Sequence, residues 1–339
     1  MKPRIAVVLG DPAGIGPELV ARLISDPANR ERADFLIIAD RAELEEGMRI
    51  AGVRFDYTLT TDPRAHDRAP ETAPGTPVLW DFRGAANAPF ERAVATANGG
   101  RYALDTLQQA IDLTVDGVTD AVCFAPLNKH SMHLAGLAHA DETHWFAELL
   151  QPNGPFGELN TLDGLWTSRV TSHVALKEVS DLITEEKILG AIRLASTTLQ
   201  KAGVAEPRIA VCGLNPHNGD NGSFGREEID VIGPAVEAAK AQGFPVIGMY
   251  PADTIFLRAK EVDAIVTMYH DQGQIAMKLM GFSRGVTVHG GLPIPIATPA
   301  HGTAFDIYGE GKANVGATQA AFDILCAMAQ TRRATPRAA

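Results

Sequence analysis

Short apolar runs alternate with amphipathic stretches along most of the chain. RIAVVLG (4–10) is almost wholly apolar, as a strand covered on both faces must be. The stretch after it, GPELVARLIS, places Leu19, Val20, Leu23 and Ile24 on one helical face. FLIIAD (35–40) predicts the next strand and AELEEGMRIAG the next helix. RYALDTLQQAIDLTVDG reads as helical, and DAVCFAP as a buried strand stopped by a proline turn. Beyond TSRVTSHVAL come the helix TEEKILGAIRLASTTLQKAG, the strand RIAVCGL and the helix REEIDVIGPAVEAAKAQG, then the strands FPVIGMY and VDAIVTMY. Such alternation predicts α/β architecture with largely parallel strands, divided at this length between two domains.

Two segments break the pattern. Residues 61–77, TDPRAHDRAPETAPGTP, are polar and proline-rich and read as a loop; the tail TRRATPRAA has no apolar period and reads as frayed. No internal repeat is visible.

Composition narrows the function classes. With 339 residues, 45% of them hydrophobic, the chain can bury one large core or two moderate ones. A net charge of −11 without a basic stripe argues against nucleic acid, although a pocket can still set a local field for an anionic substrate. No run approaches the ~20 apolar residues of a membrane helix. MKPRIAVVLGD lacks a small-residue cleavage site and reads as a first strand, so the expected compartment is the cytoplasm. Cys123, Cys212 and Cys326 lie far apart in apolar runs without C-x-x-C pairing and read as core filler.

Three of the ten histidines occupy equivalent settings: His173 closes RVTSH, His217 follows IAVCGLNP and His270 follows AIVTMY. Open α/β sheets bind ligands at the carboxyl ends of their strands. Three imidazoles delivered from strand ends can therefore meet on one divalent ion. Imidazole suits zinc, iron, cobalt or nickel, and catalytic zinc often keeps one position open beside three protein ligands. No H-x-x-x-H spacing is present, so the fold must assemble the site. Taken singly, each residue reads first as a hydrogen-bonded loop histidine; the repeated setting, with Asp271 beside His270 and Asp253 in PADT, favours the metal. In TMYHDQGQIAMK (267–278) the strand ends in His270, Asp271 and a turn at Gly273, and Lys278 falls on the first turns of the next helix. Lys278 is a solvated lysine unless a metal and a carboxylate stand beside it, where it binds anion or transfers a proton.

GDPAGIGPE (10–18) joins a strand to a helix without matching G-x-G-x-x-G. Pro17 suits a first helical position, and the glycines, Gly14 among them, permit close approach of a ligand to a helix N-terminus. A tight turn is the plain alternative. HGTAFDIYGEGKAN (301–314) carries His301, Asp306 and Asn314; it suits either a solvated loop or a nucleoside site, with aspartate on ribose and asparagine on a base edge. CGLNPHNGDNGSFG (212–225) is a long irregular loop beside His217, and such loops are commonly functional.

In this order, GDPAGIGPE, GLNPHNGDNGSFGREE, PADT, YHDQG and HGTAFDIYGEGKA resemble the 4-hydroxythreonine-4-phosphate dehydrogenase family over most of the chain, and two of them resemble isocitrate and isopropylmalate dehydrogenases more distantly. The resemblance implies an isocitrate/isopropylmalate dehydrogenase-like α/β fold, two α/β domains flanking a cleft. Residues 1–128 with 283–339 would form a nucleotide-binding domain from both chain ends, and residues 129–282 the metal-binding and dimerisation domain. It further implies a homodimer with a shared active site. His173, His217 and His270 match the family's metal ligands, His270 coming from the other subunit, and zinc is the expected ion, with magnesium, manganese or cobalt as alternatives. Gly14, His301, Asp306 and Asn314 would bind NAD or NADP. The family reaction oxidises a secondary alcohol β to a carboxylate, and the β-keto acid loses carbon dioxide. Lys278 matches a substrate-contacting lysine, and with Asp253 and Asp271 it would move or orient protons.

The chain departs from the family where substrate binds. The usual Gly-His-Thr-Glu is Asp141-Glu142-Thr143-His144, so the substrate-contacting histidine becomes Glu142, with His144 a possible substitute. An asparagine becomes Thr287, and the arginine before Thr-Ser becomes Ile296, which removes a bidentate phosphate grip. A cis-dihydrodiol dehydrogenase branch, acting on carboxylates such as terephthalate dihydrodiol, looks similar around DQGQIAMKLM and also lacks the arginine; His289 would then lie near the substrate's far end, with a packed loop histidine as the plainer alternative. The expected activity is thus a metal- and NAD(P)-dependent oxidative decarboxylation of a small-molecule β-hydroxy acid, a cis-dihydrodiol carboxylate first and 4-phosphohydroxy-L-threonine second. Two other classes compete: an acyl or phosphate transferase on a similar fold, which has no need of the histidines, and a catalytically silent metal-stabilised dimer.

Overall fold

Where apolar runs were long enough to be covered on both faces, they form strands. A computed structural model describes residues 2–64 and 75–334. The first part of the chain forms β1 (Arg4–Val8), α1 (Gly16–Ser25), α2 (Pro27–Arg32), β2 (Asp34–Ala39) and α3 (Arg41–Ala51). It continues through β3 (Thr58–Thr60), β4 (Val78–Asp81), α4 (Ala97–Val115), β5 (Ala121–Phe124), α5 (Lys129–Leu134) and α6 (Glu142–Leu150). Next come β6 (Gly157–Leu162), β7 (Leu165–Arg169), α7 (Val179–Leu182), α8 (Glu185–Lys201) and β8 (Ile209–Cys212). These are followed by α9 (Gly233–Ala241), β9 (Val246–Tyr250), α10 (Ala252–Ile255), β10 (Ala264–Thr267), α11 (His270–Gly281), β11 (Val286–Gly290), β12 (Ile296–Pro299) and α12 (Gly316–Ala334).

One compact unit comprises Met1–Leu149 and Pro293–Ala339. Its strands run in the order β3-β4-β2-β1-β5-β12, and every neighbouring pair is parallel. β5 is buried at every residue and β1 after Arg4, because α4 packs on β1, β2 and β5 while α12 packs on β5 and β12. In α1, Leu19, Leu23 and Ile24 are fully buried, each contributing roughly 1.5–3 kcal/mol. Residues 129–149, assigned from sequence to the metal-binding domain, group with this unit because α5 packs on α4, with Gly100 against the Ser131 carbonyl.

The second unit is Leu150–Leu292, with strand order β11-β6-β7-β10-β8-β9. The expectation of largely parallel strands holds, and this unit adds an antiparallel edge to it, since β11–β6 and β6–β7 are antiparallel. The cause is local: Asp163 (φ 50°) and Gly164 (φ 89°) make a two-residue hairpin turn of the kind whose twist matches antiparallel strands. Beyond β7, the strands β10, β8 and β9 are parallel, and α8 packs on β7, β8, β10 and β11.

The frayed tail is corrected as well. α12 runs through Ala334, where the Arg333 Nη2 atom sits 2.6 Å from Asp120 and Arg332 Nη1 donates to the Asp120 carbonyl at 3.0 Å. Residues 335–339, and 65–74 of the proline-rich segment, lie outside the described residues. Among the described residues no helix is long and apolar enough to cross a membrane. All three cysteines are buried and free, and burial pushes each thiol up to about 12.

Candidate functional site

The loops after β7 and β10 are laced together. Thr267 and Met268 accept the backbone N–H groups of Val170 and Thr171 at 2.9 and 3.1 Å, and Thr171 Oγ1 donates to Met268 at 2.8 Å. This places His173, in the left-handed region at φ 54°, beside His270, with 5.7 Å between ring centroids. A cleft of about 210 Å³ is lined there by Thr171, Ser172, His173, Tyr269, His270 and Asp271. His270 opens α11 instead of closing a strand, and the predicted turn at Gly273 is helix, packed on Thr267.

Asp271 Oδ1 lies 2.6 Å from His270 Nδ1. A carboxylate against one ring nitrogen, with the other left to a ligand, is the usual arrangement for metal-binding histidine. Asp253 is exposed on α10, and Lys278 is exposed in the last turn of α11, later in the helix than the spacing predicted.

A buried polar network that the sequence reading missed fixes the His173 loop. Arg169, with a side chain 8% exposed, donates from Nη2 to Glu158 at 2.7 Å, from Nη1 to Asn160 at 2.8 Å and from Nε to Ser172 Oγ at 2.9 Å. Asn160 also donates to Thr287 Oγ1 at 3.0 Å and accepts from Gln274. Thr287, a sequence-predicted substrate residue, is thus a buried member of β11 tied to this network, and His289 is buried two residues further on.

His217 is held differently. His217, Asn218, Gly219, Asp220 and Asn221 are all left-handed, closed by Ser223 N–H to Asp220 and Phe224 N–H to Gly219. Such a turn costs roughly 1–2 kcal/mol for each residue carrying a Cβ, less for Asn and Asp, so the surroundings must enforce it. Gln272, in α11, takes Met268 N–H on its oxygen at 2.8 Å and donates to the Gly213 carbonyl at 2.9 Å, joining the root of this loop to the His270 segment.

Among the described residues, no three His, Cys, Asp or Glu side chains stand together as a metal site. The donor set fits a divalent ion in part: His173 and His270 stand together with the Asp271 carboxylate 2.6 Å from His270 Nδ1, and the His217 ring centroid lies 6.5 Å from that of Phe224.

In the first unit, two sequence motifs meet. Ile15 N–H donates to the Thr303 carbonyl at 3.0 Å, and a Cβ on Gly14 would come 2.6 Å from that oxygen. Buried Glu18 accepts Ala313 N–H at 3.0 Å and the Arg22 guanidinium at 2.9 Å, and Arg22 reaches the Gly311 carbonyl at 2.7 Å. The 301–314 loop is thereby clamped on α1. Asp306 is exposed, His301 is half-buried with Nδ1 3.0 Å from the Gly302 carbonyl, and Asn314 spends Oδ1 on the Gly316 N–H. Glu18 and Arg22 were legible only as helix residues; their i,i+4 spacing was the available signal.

Also in this unit, Asp141 Oδ1 caps α6 by accepting His144 N–H at 3.0 Å and lies 2.6 Å from His144 Nδ1. Burial opposes ionisation of Asp141, but the His144 contacts prevail and its pKa is lowered. His144 is thus pinned to Asp141. Glu142 buries Oε2 without a hydrogen bond among the described residues, with Lys129 Nζ 3.9 Å away. Thr143 is buried, and Ile296 is a fully buried residue of β12 paired with Val122.

The family described as pyridoxal phosphate biosynthetic protein PdxA matches residues 31–325. A Pseudomonas aeruginosa protein provisionally named 4-hydroxythreonine-4-phosphate dehydrogenase 2 is 60% identical over 330 residues, covering 96% of this chain and 97% of that protein. The crystal structure of 4-hydroxythreonine-4-phosphate dehydrogenase from Klebsiella pneumoniae superposes with a TM-score of 0.82 at 33% identity, covering 97% of this chain and 99% of that one. A terephthalate 1,2-cis-dihydrodiol dehydrogenase from Burkholderia xenovorans superposes with a TM-score of 0.65 at 25% identity, covering 94% and 98%.

Proposed function

From a chain that belongs to the PdxA family, and is thereby a dehydrogenase acting on a CH–OH group, we infer NAD(P)-linked oxidation of a β-hydroxy carboxylic acid with loss of carbon dioxide. The names of the similar proteins support 4-phosphohydroxy-L-threonine as substrate and move the dihydrodiol carboxylate to second place. That second reading keeps one local support: Ile296 is apolar and fully buried where the family's arginine falls, and Glu142 adds negative charge.

The observation that carries the chemistry is the facing pair His173 and His270, with Asp271 on the outer nitrogen of His270. When bound, a divalent ion supplies charge stabilisation at the reacting oxygen and a nicotinamide accepts the hydride. His173 and His270 would hold the ion together with His217 from a second copy of the chain, a reversal of the sequence expectation that His270 crosses over. α11 supports such an interface, because Ile275, Leu279 and Met280 expose 58%, 84% and 43% of their surface on the helix that carries His270. Lys278, exposed in the same helix, would take substrate carboxylate or return a proton. Gly14 and the 301–314 loop, preformed by Glu18 and Arg22, would seat the dinucleotide.

Reduced-nicotinamide absorbance tests the reading, with NAD or NADP, zinc or manganese, and the two candidate acids in parallel. Turnover of 4-phosphohydroxythreonine is expected. Turnover of the dihydrodiol alone would install the second reading, and turnover of neither would remove both.

A further inference from the structure

We propose that Glu228 is the positioning residue that holds the 213–222 loop in its left-handed path and so aims His217; this rests on the reading of His217 as a metal ligand. Glu228 is 3% exposed and lies in a π-helical turn, Glu228–Ile232, just before α9. Its Oε1 accepts the backbone N–H groups of Leu214 at 2.8 Å and Asn215 at 2.6 Å, and its Oε2 accepts Asn215 Nδ2 at 3.0 Å. Three donors from the loop's ascending limb thus converge on one buried carboxylate.

The loop is shaped around it. A Cβ on Gly213 would come 3.0 Å from Oε1, and one on Gly219, at φ 77°, 2.8 Å from Oε2, so the two glycines let the backbone approach the carboxylate closely from both limbs. Gly219 sits at the centre of the left-handed turn, two residues after His217. Asn215 gives its amide to Glu227 at 2.7 Å as well, and Glu227 accepts Ser180 Oγ at 2.6 Å. Glu228 therefore bonds the loop before the imidazole and lies against its backbone after it, at Gly219.

The test combines hydrogen exchange of metal-free protein with zinc affinity by chelator competition, for Glu228→Gln, Glu228→Ala and His217→Ala. Glutamine keeps one acceptor oxygen but loses the charge and sets a donor against Asn215. In Glu228→Gln, peptides over 213–222 should exchange about tenfold faster while β8 and β10 keep their rates, and zinc affinity should fall about tenfold. Wild-type loop exchange in both Glu228 variants would overturn the proposal, as would exchange rising equally through β8, β9 and β10. A loosened loop with unchanged zinc affinity would overturn it too, provided His217→Ala loses zinc. If His217→Ala keeps zinc, the ligand reading itself fails, and loop exchange alone judges Glu228.

Discussion

Glu18, in the first helix, accepts the backbone N–H of Ala313, 295 positions later, at 3.0 Å. Together with Arg22 on the Gly311 carbonyl, this bond joins the GDPAGIGPE turn to the polar loop near the chain's other end. A loop that would otherwise be solvated is preformed, so a dinucleotide would bind without first ordering it.

Glu18→Ala strips Arg22 and the Ala313 amide of their acceptor in a buried setting. The expected cost is about 1–3 kcal/mol in urea unfolding. The KM for the nicotinamide dinucleotide should rise more than kcat falls. An unchanged KM would separate this loop from the cofactor.

Asp271 is two-thirds exposed and its pair with His270 adds little stability, so Asp271→Asn should shift unfolding by less than about 0.5 kcal/mol. Its effect on the ring is larger. Loss of the carboxylate frees the imidazole to rotate and change tautomer, and zinc affinity should drop about 10–100-fold in a chelator titration. Equal affinity in the two proteins would mean Asp271 plays no part in aiming His270.

Asp141 has a folded pKa below its ordinary value, so its contribution is full above the unfolded carboxyl range near pH ~4 and fades as pH falls through the lower folded value. Asp141→Ala should therefore cost about 1 kcal/mol at pH 7 through the lost helix cap, and the gap from wild type should shrink progressively in acid. Denaturant melts across that range measure it; a gap that widened with acidification would reverse the sign of the argument.

β1, β2, β5, β8, β9 and β10 were readable because each lies in a continuous apolar run, and the three histidines because each stands after a run read as ending at the sheet; the short parallel strands β3, β4, β7 and β12 were not readable. β6 was not readable: Glu158 and Asn160 interrupt it, since their side chains serve the Arg169 network. The Asp163-Gly164 pair between Leu162 and Leu165 was a hairpin signal in plain sight, and it would have predicted the antiparallel edge. The density of Asn, Asp and Gly in NPHNGDNG signalled left-handed backbone. What no local pattern carries is the long-range carboxylate that enforces it. The pairing of His173 with His270 was equally hidden, because it comes from hydrogen bonds between loops almost a hundred residues apart, such as Thr171 to Met268.

Mixing two inactive variants tests the shared metal centre most directly. If the proposed site spans two chains, with His173 and His270 from one and His217 from the other, His173→Ala and His217→Ala each damage one half of it, and a mixed dimer keeps one intact site. After denaturation and joint refolding, about a quarter of wild-type turnover and tightly bound zinc should return, as random pairing of a two-fold dimer requires. Mixtures that stay as inactive and as zinc-poor as the separate variants would contradict a centre built from both copies.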